Sequence, residues 1–128
     1  MLKDDISPPI TVESINQELV QDIYLRIHSA LNKWIENGLE PKYIQLNKSA
    51  YAAYYIRSVK DGVDVKLPDM AFKEYPIILN LDSGVLIKVI GSASTESLRA
   101  DEIKKMTREN TVSVLNEKYP WYNWGGSQ

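Results

Sequence analysis

The chain is expected to fold as a small α+β domain: a central antiparallel or mixed sheet, built around a hairpin and packed by three helices. Three observations predict this class. Apolar residues recur every three or four positions between Ile15 and Ile35, the signature of an amphipathic helix. Two runs, 77–81 and 85–90, are apolar on both faces and flank Asp82-Ser83-Gly84, where glycine allows a tight turn. A total of 128 residues, 44% of them hydrophobic, suffices for one core and falls short of two.

The elements follow in order. Residues 1–10, ending Ser7-Pro8-Pro9-Ile10, read as an extended arm, because tandem prolines disfavour helix in the residues before them. The first helix is capped by Ser14 with Gln17 three places on, or alternatively by Thr11. Its stripe is Ile15, Leu19, Ile23, Ile27, Leu31 and Trp34/Ile35. Glu18, Asp22, Arg26 and Lys33 form its solvated face, and Gly38 stops it. Pro41 leads into a short strand, Tyr43-Ile44-Gln45-Leu46. Asn47 caps a second helix to about Lys60, closed by Asp61-Gly62, and Ala50, Ala52 and Ala53 let that helix lie close to a sheet. Val63–Leu67 alternates with period two, which predicts an edge strand broken by Pro68-Asp69.

The two apolar runs come next and should be central strands covered by helices. After the linker Gly91-Ser92-Ala93-Ser94, either Ser94 or Ser97 caps a third helix with Leu98, Ile103 and Met106 on its apolar face. Asp101/Lys105 and Lys105/Glu109 are spaced as surface pairs on it. The β-branched residues of Thr111-Val112-Ser113-Val114 weaken helix propensity, and helix remains the reading there. The organisation is thus an arm at 1–10, one α+β domain at 11–118 and an aromatic tail at 119–128.

That tail is the most unusual feature. Four of the last ten residues are aromatic, in Tyr119-Pro120-Trp121-Tyr122-Asn123-Trp124, and two of the three tryptophans lie there. A polar terminus rarely carries such a cluster, and in water it would promote aggregation, so it must pack on something. It either folds back onto its own domain or docks on a neighbouring subunit.

Composition narrows the chemistry. The chain has no cysteine, which removes disulfides, thiolate nucleophiles and zinc–thiolate sites, and fits a reducing, cytoplasmic compartment. The first ten residues are acidic and carry two prolines, unlike a signal peptide, and no apolar stretch approaches the roughly 20 residues a membrane span needs. A net charge of −2 conceals an asymmetry. Residues 1–40 hold three basic groups against seven acidic ones, whereas 41–60 hold Lys42, Lys48, Arg57 and Lys60 with no acid. Such patches satisfy each other within one fold or favour contact between identical copies, and the intramolecular reading is preferred.

Catalytic patterns are weak. The single histidine, His28, lies on the flank of the first helix without a second histidine or cysteine, so it reads as structural. The six glycines, at 38, 62, 84, 91, 125 and 126, have neither phosphate-loop nor dinucleotide-loop spacing, and no nucleophile elbow is present. Asp61, Asp64, Asp69, Glu74 and Asp82, with Lys66, invite a metal-dependent nuclease reading. They fall at turns, where aspartate serves local hydrogen bonding, and the turn account is preferred. No metal and no cofactor is expected, and the protein is read as no enzyme.

Nucleic-acid binding is the stronger alternative. Lys48, Tyr51, Tyr54, Tyr55, Arg57 and Lys60 interleave basic and aromatic groups on the second helix, so Lys48, Tyr51, Tyr55, Arg57 and Lys60 are the candidate contacts, with phosphates neutralised and a ring stacked on a base. Four charges are few, and a pI of 5.4 lacks the basic footprint of such a domain. The plain account puts these tyrosines at the border of core and water.

The order strand, polar cap and small-residue helix in 41–54, followed by Tyr75-Pro76-Ile77-Ile78-Leu79-Asn80 and Gly84–Gly91, resembles a pattern in virion proteins of tailed bacteriophages, including part of the axial domain of HK97-type capsid proteins. It spans roughly residues 41–91. The resemblance implies a small head, connector or cement subunit, in the host cytoplasm or the virion, with no catalytic residues.

The expected function is therefore non-enzymatic: a structural subunit that assembles with copies of itself or with a larger particle. Tyr119, Trp121, Tyr122 and Trp124 are the expected partner-binding residues, since large aromatics dominate interface energetics.

Overall fold

The computed structural model describes residues 15–67, 69–80, 84–91, 95–122 and 124. The arm at 1–10 and the candidate caps Thr11, Ser14 and Ser94 lie outside these.

Helix α1 spans Gln17–Glu36, and its cap is Asn16, whose side chain accepts from the backbone N–H of Glu18 and Leu19. Ile15, Leu19, Ile23, Ile27 and Leu31 are buried along the expected stripe, with Val20 buried beside it; at its end Trp34 turns inward while Ile35 stays 52% exposed. The helix closes on Gly38, at φ +76°, where no side chain sits comfortably. Gly38 N–H bonds to the Ile35 carbonyl and Leu39 N–H to that of Trp34, both at 3.0 Å, the paired bonds of a Schellman ending.

Strand β1, Pro41–Leu46, leads directly into helix α2, Lys48–Lys60, through Asn47. The Asn47 carboxamide oxygen accepts from Ala50 N–H at 2.9 Å, the cap its position predicted. α2 ends as α1 does: Gly62 at φ +79° donates to Val59 and Val63 donates to Ser58. Every residue from Ala50 to Ile56 is buried, so α2 runs through the molecule's interior. Short β2, Ala71–Phe72, turns through Lys73-Glu74 into β3, Tyr75–Leu79; β4, Ile87–Gly91, and α3, Thr95–Lys118, complete the chain.

The four strands form one mixed sheet in the order β2-β3-β1-β4. The α+β class with a small sheet holds, and two pairings are corrected. The two runs give strands over 77–79, within β3, and over 87–90, within β4, but these strands do not pair as a hairpin. β1 lies between them, parallel to β3 (Ile44 opposite Ile77) and antiparallel to β4 (Ile44 opposite Val89). The cause is burial: β1 is apolar and covered, so hydrogen bonds on both its edges must come from other strands. The connection straddles its end, with Asn80 N–H bonded to Leu46 O and Asn47 N–H to Leu86 O. The expected edge strand Val63–Leu67 is reduced to a single bridge, Lys66 to Asp69; the edge is taken by β2, which pairs with β3 across a two-residue turn.

Helices cover both faces of the sheet. Ile44, Leu46, Ile77, Leu79 and Val89 join α1 and α2 in the main core, while Tyr43, Ile78 and Ile90 meet Ala100 and Ile103 of α3. At the sheet margin the Trp34 ring lies on Gly91, where a Cβ would come to 2.7 Å from it. α3 is helical through 111–114 as read; Ser97 lies inside it, in its first turn, and is no cap. No helix among the described residues is long and apolar enough to cross a membrane.

Candidate functional site: the aromatic C-terminal turn

The tail continues α3 for one turn and then doubles back. Tyr119 N–H bonds to Leu115 O at 2.8 Å, Tyr122 N–H to Tyr119 O, and Trp124 N–H to Tyr122 O. This brings two rings, Tyr122 and Trp124, onto Tyr55 of α2. Trp124 lies 5.4 Å from the Tyr55 ring and 4.6 Å from Tyr122, and Tyr122 meets Tyr55 edge-on at 6.2 Å. The Trp124 indole N–H donates to the buried Tyr119 carbonyl at 2.9 Å, which satisfies both polar groups in the core. Burial of the rings holds the Tyr55 and Tyr122 hydroxyls above the usual phenol range.

Of the four expected partner-binding residues, Tyr119 and Trp124 are therefore core residues, at 1% and 3% exposure, and Tyr122 is half-buried. As anchors for another molecule's pocket these two are corrected: their rings already fill a pocket in their own chain. Trp121 differs. It stands 48% exposed, braced by Tyr119 and Tyr122 at 6.1 Å each. A large apolar ring held outward on a clamped turn is the feature of this site that faces solvent.

The α2 candidates separate. Tyr51 is fully buried and Tyr55 is 3% exposed, so neither offers a free face to a base, and the border position read for Tyr51 is likewise corrected. Burial pushes the Tyr51 hydroxyl above the ordinary phenol value, and a hydrogen bond with Thr111 of α3 offsets part of this. Tyr54 donates to Ala71 O at 2.8 Å. Arg57 turns back onto the protein: its Nε donates to Asp61 at 2.8 Å, its Nη1 donates to the Gln21 carbonyl, and its guanidinium lies 4.8 Å from the Tyr24 ring. Lys48 is half-buried at one end of α2 and Lys60 exposed at the other, about 18 Å away at 1.5 Å per residue.

Asp61, Asp64, Asp69 and Glu74 are exposed, and Asp82 lies outside the described residues. Among the described residues no group of three or more histidine, cysteine or acidic side chains could hold a metal ion. His28 is half-buried on α1. One charged cluster escaped sequence reading. The Tyr43 hydroxyl donates to Asp101, and Lys42 stands 3.7 Å from the same carboxylate. Its members lie 58 residues apart, and only the spacing Lys42-Tyr43 hinted at a paired cation and ring.

No protein-family model, no curated protein and no solved structure matches the chain.

Proposed function

We propose that this protein is a non-enzymatic assembly subunit, acting through protein–protein contacts with copies of itself or a larger particle. The observation that carries the reading is Trp121: a half-exposed tryptophan on a turn that the buried Tyr119 and Trp124 hold in place. Such a ring meets a partner at little cost in conformational freedom, which is why rigid aromatics act as interface anchors. Further exposed apolar side chains, among them Leu25, Ile35, Leu39 and Val85, supply area around the surface for contacts of this kind. Several polar side chains are engaged internally, as Tyr24 with Ser58 and Tyr54 with the Ala71 carbonyl. The chain-order resemblance to tailed-bacteriophage virion proteins extends the proposal to a head, connector or cement role, in the virion or the host cytoplasm.

The test is oligomeric mass against concentration by sedimentation, for the native chain and for Trp121→Ser. The native chain is expected to associate, and the variant to remain monomeric with stability changed by no more than about 0.5 kcal/mol, as for surface positions. A native chain that stays monomeric at all concentrations overturns self-assembly. Equal association by both chains overturns the anchor.

A further inference from the structure

Helix α1 carries a second stripe besides the one it buries. Leu25, His28, Asn32 and Ile35 follow one another at spacings of three, four and three, which lines them up along one side of the helix. Leu25 is 66% exposed, Ile35 and Asn32 are exposed and His28 is half-buried, so the domain's own core leaves this line uncovered. Alternating spacings of three and four are those of a seam between two helices, and a polar residue within such a seam fixes its register.

The stripe is complementary to itself. When two copies of α1 lie antiparallel with their Ala30 residues level, Leu25 of each meets Ile35 of the other and His28 of each meets Asn32 of the other, the reciprocal pattern of a two-fold contact. A neutral imidazole has one donor and one acceptor, and a carboxamide has both, so the polar pair can satisfy itself. Asp22, Arg26, Lys33 and Glu36 lie along the outer side of the stripe. The antiparallel arrangement brings Asp22 and Arg26 of one copy nearly level with Glu36 and Lys33 of the other, two acids beside two bases on each half of the pair. A parallel arrangement sets each charge against its own copy and aligns the helix dipoles, both of which cost free energy.

We propose that α1 pairs antiparallel with α1 of a second copy of this chain, along Leu25, His28, Asn32 and Ile35. This rests on the assembly reading and adds to it a contact separate from Trp121. Four side chains from each copy bury well under the roughly 1,200 Å² of a stable interface. The pair alone therefore leaves the chain monomeric in dilute solution, and it counts where other contacts already hold the copies together.

Disulfide trapping on the full chain tests it, since the native chain has no cysteine. Leu25 and Ile35 are exposed, so replacing them leaves the fold intact. The double variant Leu25→Cys/Ile35→Cys is expected to form a covalent dimer at least about tenfold faster than Lys60→Cys, an exposed position off the stripe that measures chance collision. Leu25→Cys alone and Ile35→Cys alone should trap only at the collision rate. Antiparallel helices hold the two copies of either position about 15 Å apart along the axis, beyond the reach of a disulfide. The double variant should trap equally well with Trp121→Ser added, because trapping collects a weak contact that sedimentation does not register. A double variant no faster than Lys60→Cys overturns the pair. Fast trapping by Leu25→Cys alone overturns the antiparallel arrangement, and trapping that vanishes with Trp121→Ser overturns the stripe as a separate contact.

Discussion

Single residues show how far local chemistry is decided by distant neighbours. Tyr43 and Tyr54 both have their hydroxyls pushed up to about 12, in each case chiefly by burial; at Tyr43 the Asp101 carboxylate adds to the effect. In the unfolded chain a phenol ionises near about 10. Above that pH the unfolded state sheds protons that the folded state keeps, so stability falls as pH rises. The contribution is complete below pH about 10 and disappears between about 10 and 12. Alkaline unfolding, followed by circular dichroism beside phenolate absorbance, is expected in that window. Tyr54→Phe should make the loss of stability with pH shallower there. A pH-independent stability across the window would contradict the burial of these hydroxyls.

At the level of elements, endings were the most legible part of the chain. Asn47 before a helix, Asp61-Gly62 after it and Gly38 after α1 act through backbone groups within four residues, so they can be read without knowing the fold. The α1 cap shows the limit of such reading: Asn16 serves, two residues beyond Ser14 and five beyond Thr11. The tail shows a different limit. Its aromatic content announces burial but not the place. The chain itself buries Trp124 against Tyr55, and Trp124→Ala is expected to cost about 3–5 kcal/mol in chemical denaturation, as for other large-to-small core changes. It also leaves the Tyr119 carbonyl without its indole donor. A cost below about 1 kcal/mol, within the surface range, would contradict the core placement.

At the scale of the whole molecule, topology is the correction. β3 and β4 are adjacent in sequence and alike in composition, which predicts a hairpin, yet each pairs with β1. A peptide of residues 75–91 is therefore expected to show no cross-strand contacts between its two apolar runs by nuclear magnetic resonance. Persistent pairing in that peptide would indicate that the hairpin is intrinsic and that β1 must displace it during folding. The arrangement also explains why the α2 tyrosines lost their expected surface role: α1, the sheet and the tail enclose α2, and its interleaved basic groups are left at its ends or folded onto α1.

What the sequence determined by itself was the class, the three helices, three of the four strands, the Asn47 cap and the glycine stops, because periodicity and capping are set by neighbours a few residues away. The tertiary structure alone decided which strands share a ladder, which of the tail's rings stays outside and that Asp101 meets Tyr43. Those outcomes depend on groups far apart in the chain competing to be buried, and a linear pattern carries no record of which of them wins.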